Sequence, residues 1–216
     1  MIFVVTWIVS GWLSLDQGRV FSEGQVTPAE AEQIVGSPVW AAISASEPAQ
    51  DLSHVREIEW FAFGGEIFRR ERTEVSVQRL SLVEAVRSKE SKFLTADEID
   101  AVIGGLAAGC RHAAIIDPAD DYAVEPRAPG APVYRSVCGD TWYHVDGASG
   151  TILDKLDPSR RAYRWAYSAL HTFDFPALVA RPNLRTLLVV VLCAIGFVFS
   201  LTGIVIGWRR LRLQFY

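Results

Sequence analysis

Four histidines, three cysteines and one dense acidic loop are the residues of this 216-residue chain whose types and spacing could do chemistry. His171 stands 15 residues before an apolar run that opens at Thr186, where it could ligate an ion at a membrane face. Its plainer role is to cap or hydrogen-bond within a helix. His144, two residues before Asp146, could offer nitrogen to a metal or simply pack on a strand. Asp117, Asp120, Asp121 and Glu125 have the oxygen ligands that calcium takes, but their spacing does not match the twelve-residue calcium loop, and a solvated acidic turn fits as well. Cys110 and Cys138 are either a disulfide, which persists outside reducing compartments, or two unlinked buried thiols. Cys193 lies in an apolar run as a small filler. The sequence contains no H-E-x-x-H, G-x-S-x-G, phosphate-binding glycine loop or C-x-x-C, so no motif argues for catalysis.

The element around which these residues are arranged is the stretch Thr186 to Trp208, 23 residues without a charge. At ~1.5 Å per residue it makes a helix of roughly 34 Å, enough for a hydrocarbon core of ~30 Å. Arg181 and Arg185 precede it and Arg209, Arg210 and Arg212 follow, a bias that puts the tail, residues 209–216, in the cytoplasm and the bulk of the chain on the other side. Gly196, Ser200, Gly203 and Gly207 fall on one stripe, and small stripes allow close helix approach. The stripe is expected to pack on another membrane helix, with the apolar residues 1–15 as the nearest partner and a second copy of the chain, a homodimer, as the other. Residues 1–15 are short for a full span and have neither a basic start nor an A-x-A site, so they read as a short membrane helix or the end of a longer one.

Between these segments lies an acidic region. The net charge is −4 overall and −7 before Arg209, which disfavours nucleic acid as a partner. Thr27–Gly36 and Thr95–Gly104 form an internal repeat at a shift of 68 residues. Each opens with the capping box T-x-x-E, continues with apolar residues at helical spacing, and reaches a glycine suited to stop the helix. Strand-like stretches follow each copy. Glu57–Phe63 and Glu66–Arg70 flank the hairpin pair Gly64-Gly65, and Thr73–Leu80 alternates cleanly. In the second copy His112–Ile116, Val133–Val137, Thr141–Val145 and Thr151–Leu156 read as strands. Two units, 22–90 and 91–157, each with a helix and a small antiparallel sheet, give an α+β fold. Residues 158–182 then read as an amphipathic helix at the lipid–water interface, with Tyr163, Tyr167, Leu170 and Phe173 sharing a face beside Arg160, Arg161 and Arg164. The spanning segment takes residues 184–208.

The segment Trp142–Asp157, WYHVDGASGTILDKLD, resembles the closing hairpin of PepSY domains. The run from Tyr163 through Leu170-His171 and Pro176 to Arg181-Pro182, with the helix ending at Gly207-Trp208-Arg209-Arg210, is similar to PepSY-associated transmembrane proteins. Ser10-Gly11-Trp12-Leu13-Ser14 and Gly18–Phe21 resemble the exit of an earlier membrane helix in that family. The resemblance implies tandem PepSY-like units outside a bacterial inner membrane, in the periplasm, acting by protein contact in the cell envelope with no cofactor. Some membrane relatives look like haem-bearing reductases of iron uptake. That implies an alternative, an electron-transfer subunit with His171 near the haem, although a b-type haem wants two axial ligands and neither apolar segment carries a histidine. A passive assembly subunit, docked through its grooved helix, is the third expectation.

Overall fold

Thr27 and Thr95 each begin a helix in the way their sequences predict. The computed structural model describes residues 2–15, 20–46, 53–73, 78–82 and 92–214. In it the Thr27 hydroxyl accepts from the Glu30 amide while the Glu30 carboxylate accepts from the Thr27 amide, opening helix α2 (Pro28–Val35). Thr95 and Glu98 repeat this reciprocal bond at the start of α4 (Ala96–Leu106). The two copies end differently. Gly36, at φ +73°, terminates α2, whereas Gly104 lies inside α4, which runs on to Leu106. Gly104 is therefore not a helix stop: the apolar series Ile99, Val102, Ile103 continues to Leu106 and carries the helix past it.

The chain divides into two compact units, one of Glu23–Arg160 and the other of Met1–Ser22 with Arg161–Tyr216. The first holds α2, a short α3 (Ala41–Ser46) that the sequence did not signal, strands β1 (Glu57–Phe63), β2 (Glu66–Arg72) and β3 (Gln78–Leu82), α4, and strands β4 (Ala114–Ile115), β5 (Val133–Cys138), β6 (Thr141–Asp146) and β7 (Ile152–Leu156). Both sheets are antiparallel meanders, in the orders β1-β2-β3 and β4-β5-β6-β7. The fold of this unit is thus α+β. Of the expected strand at 73–80, residues 78–80 fall in β3, and residues 74–77 lie outside the described residues. The expected strand at 112–116 shrinks to two residues, and at its approach the Asp100 carboxylate takes the Ala113 amide and pairs with His112.

One core serves both copies. Ile34, Phe63 and Phe68 from the first meet Leu94, Ile99, Ile103, Tyr134, Tyr143 and Val145 from the second. The turn of the β1–β2 hairpin also docks on α2, with the amides of Gly64 and Gly65 donating to the carbonyls of Ile34 (2.7 Å) and Val35 (2.9 Å). Two of the carbonyls left orphaned at the helix end are satisfied this way.

The second unit contains helix α1 (Ile2–Leu13), the end of α5 (Pro158–Tyr163), a π-helical turn (Arg164–Ala169), α6 (Leu170–Thr172), α7 (Pro176–Val179) and the long α8 (Pro182–Gln214). α1 packs on the π-helical turn and α6. Tyr163, Tyr167 and His171, spaced four apart, stack at successive centroid distances of 5.2 Å. Leu170, expected on that face, is instead exposed, since the helical spacing of four selects His171 in its place. Among the described residues α8 is the one helix long and apolar enough to cross a membrane, and none of its apolar window is buried.

Candidate functional site

The face of β5 and β6 opposite the core carries the most concentrated chemistry of the Glu23–Arg160 unit. Alternation sends Tyr134, Ser136, Tyr143 and Val145 one way and Arg135, His144 and Trp142 the other. Arg135 stands opposite His144 in register, and its Nε–H donates to His144 Nε2 at 2.9 Å. Its two terminal nitrogens grip Asp120 at 2.9 and 2.7 Å, a bidentate pair, and its guanidinium lies 4.7 Å over the Trp142 ring. Tyr122 closes on Trp142 edge to face at 5.3 Å. This network straps the loop of residues 117–130 across the sheet. His144 is fully buried, and burial, reinforced by the Arg135 charge against a weaker pull from Asp120, pushes its pKa down to about 4, so the ring is neutral. Asp120 is held below the usual carboxylate range, first by its hydrogen bond from Arg135.

These contacts replace two sequence expectations. Asp120 spends both oxygens on Arg135 and Asp117 Oδ1 accepts the Ala119 amide, so the four acids of the loop do not converge as a calcium site. His144 faces a guanidinium through Nε2, which repels a cation rather than inviting one. Among the described residues a different group gathers ligand atoms within 4.8 Å of one another, Asp97, Asp100 and His112 at the start of α4 and the approach to β4.

The strapped loop and β4 enclose a groove of about 470 Å³, walled by Ile115, Ile116, Pro118, Val124, Pro126 and Pro132, with Glu125 on its rim. Ile115 is 64% exposed. β4 ends the four-stranded sheet, and among the described residues nothing pairs with its outer side. Sequence reading missed Arg135 as the organiser. Its signal was a lone charge in the alternating run Val133–Val137, and its partners are separated from it by 15 and 9 residues.

A second network ties the two copies together. Glu30 accepts from Lys155 Nζ at 2.7 and 2.8 Å and from the Tyr143 hydroxyl at 2.9 Å. Burial alone would raise its pKa, but the bonds from Lys155, the Thr27 amide, Tyr143 and the Thr27 hydroxyl outweigh this and hold it at about 2. Tyr143 is pushed up to about 12, by burial first and then by its bond to Glu30. Cys110 and Cys138 are joined by a disulfide that links the end of α4 to β5.

In the other unit His171 Nδ1 lies 3.1 Å from the hydroxyl of Ser10, which is fully buried, and the ring stacks on Tyr167 and lies tilted against Trp7 at 6.0 Å. Among the described residues neither α1 nor α8 carries a histidine that could pair with His171 as a second axial ligand of a b-type haem. Gly196 and Ser200 line a cavity of about 670 Å³ with Trp7, Ile8, Cys193, Phe197 and Phe199. No atom lies within 4 Å of a Cβ built on Gly196, Gly203 or Gly207, so the small stripe is open along α8. Cys193 is a free thiol on the same helix.

No protein-family model, no curated protein and no solved structure matches this chain.

Proposed function

We propose that the chain is a membrane-anchored, PepSY-like module of the bacterial cell envelope that acts by binding a partner protein and has no catalysis of its own. The observation that carries this reading is the pairing of an unpartnered sheet edge with an apolar groove beside it, in the unit that also bears the disulfide. A groove rimmed by one carboxylate and walled by prolines and aliphatics offers chiefly apolar contact area. α8 serves as the anchor. The disulfide favours an oxidising side for the Glu23–Arg160 unit, hence the periplasm, with the basic end of α8 in the cytoplasm.

The experiment has two parts. A phosphatase fused after Arg160 should be active and a fluorescent protein fused after Tyr216 should glow, with the chain resisting carbonate extraction. A photo-crosslinking residue at Ala123, on the groove, should give a discrete protein adduct in membranes. Extraction into the soluble fraction, inverted reporters or an absence of adducts from groove positions would overturn the reading.

A further inference from the structure

We infer that the groove takes an extended, basic segment of its partner, added to β4 as a fifth strand of the sheet. This rests on the partner-binding reading above and names the occupant. The amide of Ile116 donates inward to the Val133 carbonyl at 2.8 Å. In an antiparallel ladder the neighbouring residue turns its N–H and C=O the opposite way, so Ile115 presents both to the open edge. Edge strands are usually guarded by charge or proline; here Asp100 takes the Ala113 amide, and beyond it Ala114–Ile116 reads Ala-Ile-Ile. The groove lies alongside, and an added strand would set alternate side chains against Ile115, Val124 and Pro126. The wall is prearranged, since the Arg135–Asp120 pair fixes the loop before any ligand arrives, which reduces the ordering cost of binding.

Charge selects the occupant. Glu23–Arg160 contains 23 Asp and Glu against 13 Lys and Arg, a net charge of −10. Around the groove Glu125 stands exposed on the rim, while Arg135 is consumed by Asp120 and His144; Arg127 is the one base of the loop. A second copy of the chain would bring a second acidic unit of net charge −10 and is disfavoured, whereas a strand alternating apolar residues with Lys or Arg is complementary in both shape and sign.

The test presents a library of random dodecapeptides to the full chain in lipid nanodiscs and measures selected peptides by fluorescence anisotropy. Enriched peptides should alternate apolar residues with Lys or Arg and bind more weakly as salt is raised. Ile115→Pro should cut their affinity about tenfold or more while leaving the fold intact, because the amide it removes points away from β5. Glu125→Lys should lower it about threefold or more by reversing the rim charge. Ala123→Trp, which fills the groove from the loop side, gives the same loss should the proline variant fail to fold. No enrichment, enrichment of acidic peptides, or undiminished binding to a folded Ile115→Pro protein would overturn the inference. If the groove cross-link to a partner protein persists in Ile115→Pro, partner binding stands and strand addition falls.

Discussion

Two ionisable side chains give the acidic unit pH dependence of the same sign in separate pH windows. His144 is neutral in the fold, with a pKa of about 4 against 6.5 unfolded. Its folded value is depressed, so the unfolded chain binds the proton first, and stability falls as pH drops through 6.5 and levels off near 4, by about 3 kcal/mol in all. Chemical denaturation across that range should show the slope in the native protein and its loss in His144→Gln, whose amide can still accept from Arg135. An unchanged slope in the variant would remove His144 as the source. Glu30, by contrast, is charged in the fold, and its depressed carboxylate contributes stability that is complete above about 4.5 and disappears as pH falls toward 2. Glu30→Gln should therefore cost about 2–3 kcal/mol at neutral pH and nothing at pH near 2, read from the same denaturation curves. Asp154, raised by burial, works in the opposite sense at the acid end, and comparing each variant with the native chain isolates each group. None of these environments is written in the local sequence: Glu30 and Lys155 are 125 residues apart.

At the level of elements, the repeat was legible because its signals are local. Capping boxes and helical spacing act within one turn, and both appear where the sequence put them. The fate of the two glycines was not legible. Gly36 sits at φ +73°, and a Cβ there would strike the backbone of the Gly64-Gly65 turn, whereas a Cβ on Gly104 would meet nothing within 4 Å. Gly36→Ala should thus destabilise the unit by about 2 kcal/mol or more, from left-handed strain plus the lost approach of the hairpin. Gly104→Ala should be neutral or stabilising by up to about 1 kcal/mol, as expected inside a helix. Thermal unfolding of the two variants checks this, and equal effects would mean that the repeat's glycines are equivalent after all. The edge strand β4 was overestimated at five residues, and the approach to it is held instead by Asp100, 13 residues upstream, through the Ala113 amide.

For the whole molecule, charge is divided along with structure. The unit of Glu23–Arg160 carries −10, and the remainder, with α8, carries 8 Lys and Arg against 2 Asp and Glu, or +6. Such a split suits a chain whose basic part meets anionic lipid and whose acidic part meets solvent or a basic partner. The disulfide offers a compartment test. Protein taken from membranes and denatured without reductant should accept one maleimide label, at Cys193, and three after reduction. Replacing Cys110 and Cys138 together by alanine should cost about 3–4 kcal/mol for a separation of 28 residues. Three labels without reductant would place the thiols in a reducing compartment and weaken the topology proposed here.

By itself the sequence determined the features that depend on near neighbours: the length and apolarity of α8, the paired capping boxes, the Gly64-Gly65 hairpin and most strand positions. Periodicity and capping are consequences of backbone geometry over a few residues, so the local order of residue types suffices to set them. Tertiary structure decided what joins them. It merged two copies into one core, turned a loop of apparent calcium ligands into a strap held by Arg135, and placed Tyr163, Tyr167 and His171 in one stack beside α1. It also left β4 open next to a groove. Those outcomes depend on contacts between residues far apart in the chain, where the cost of burying a charge or an amide is met by a partner that no local pattern announces.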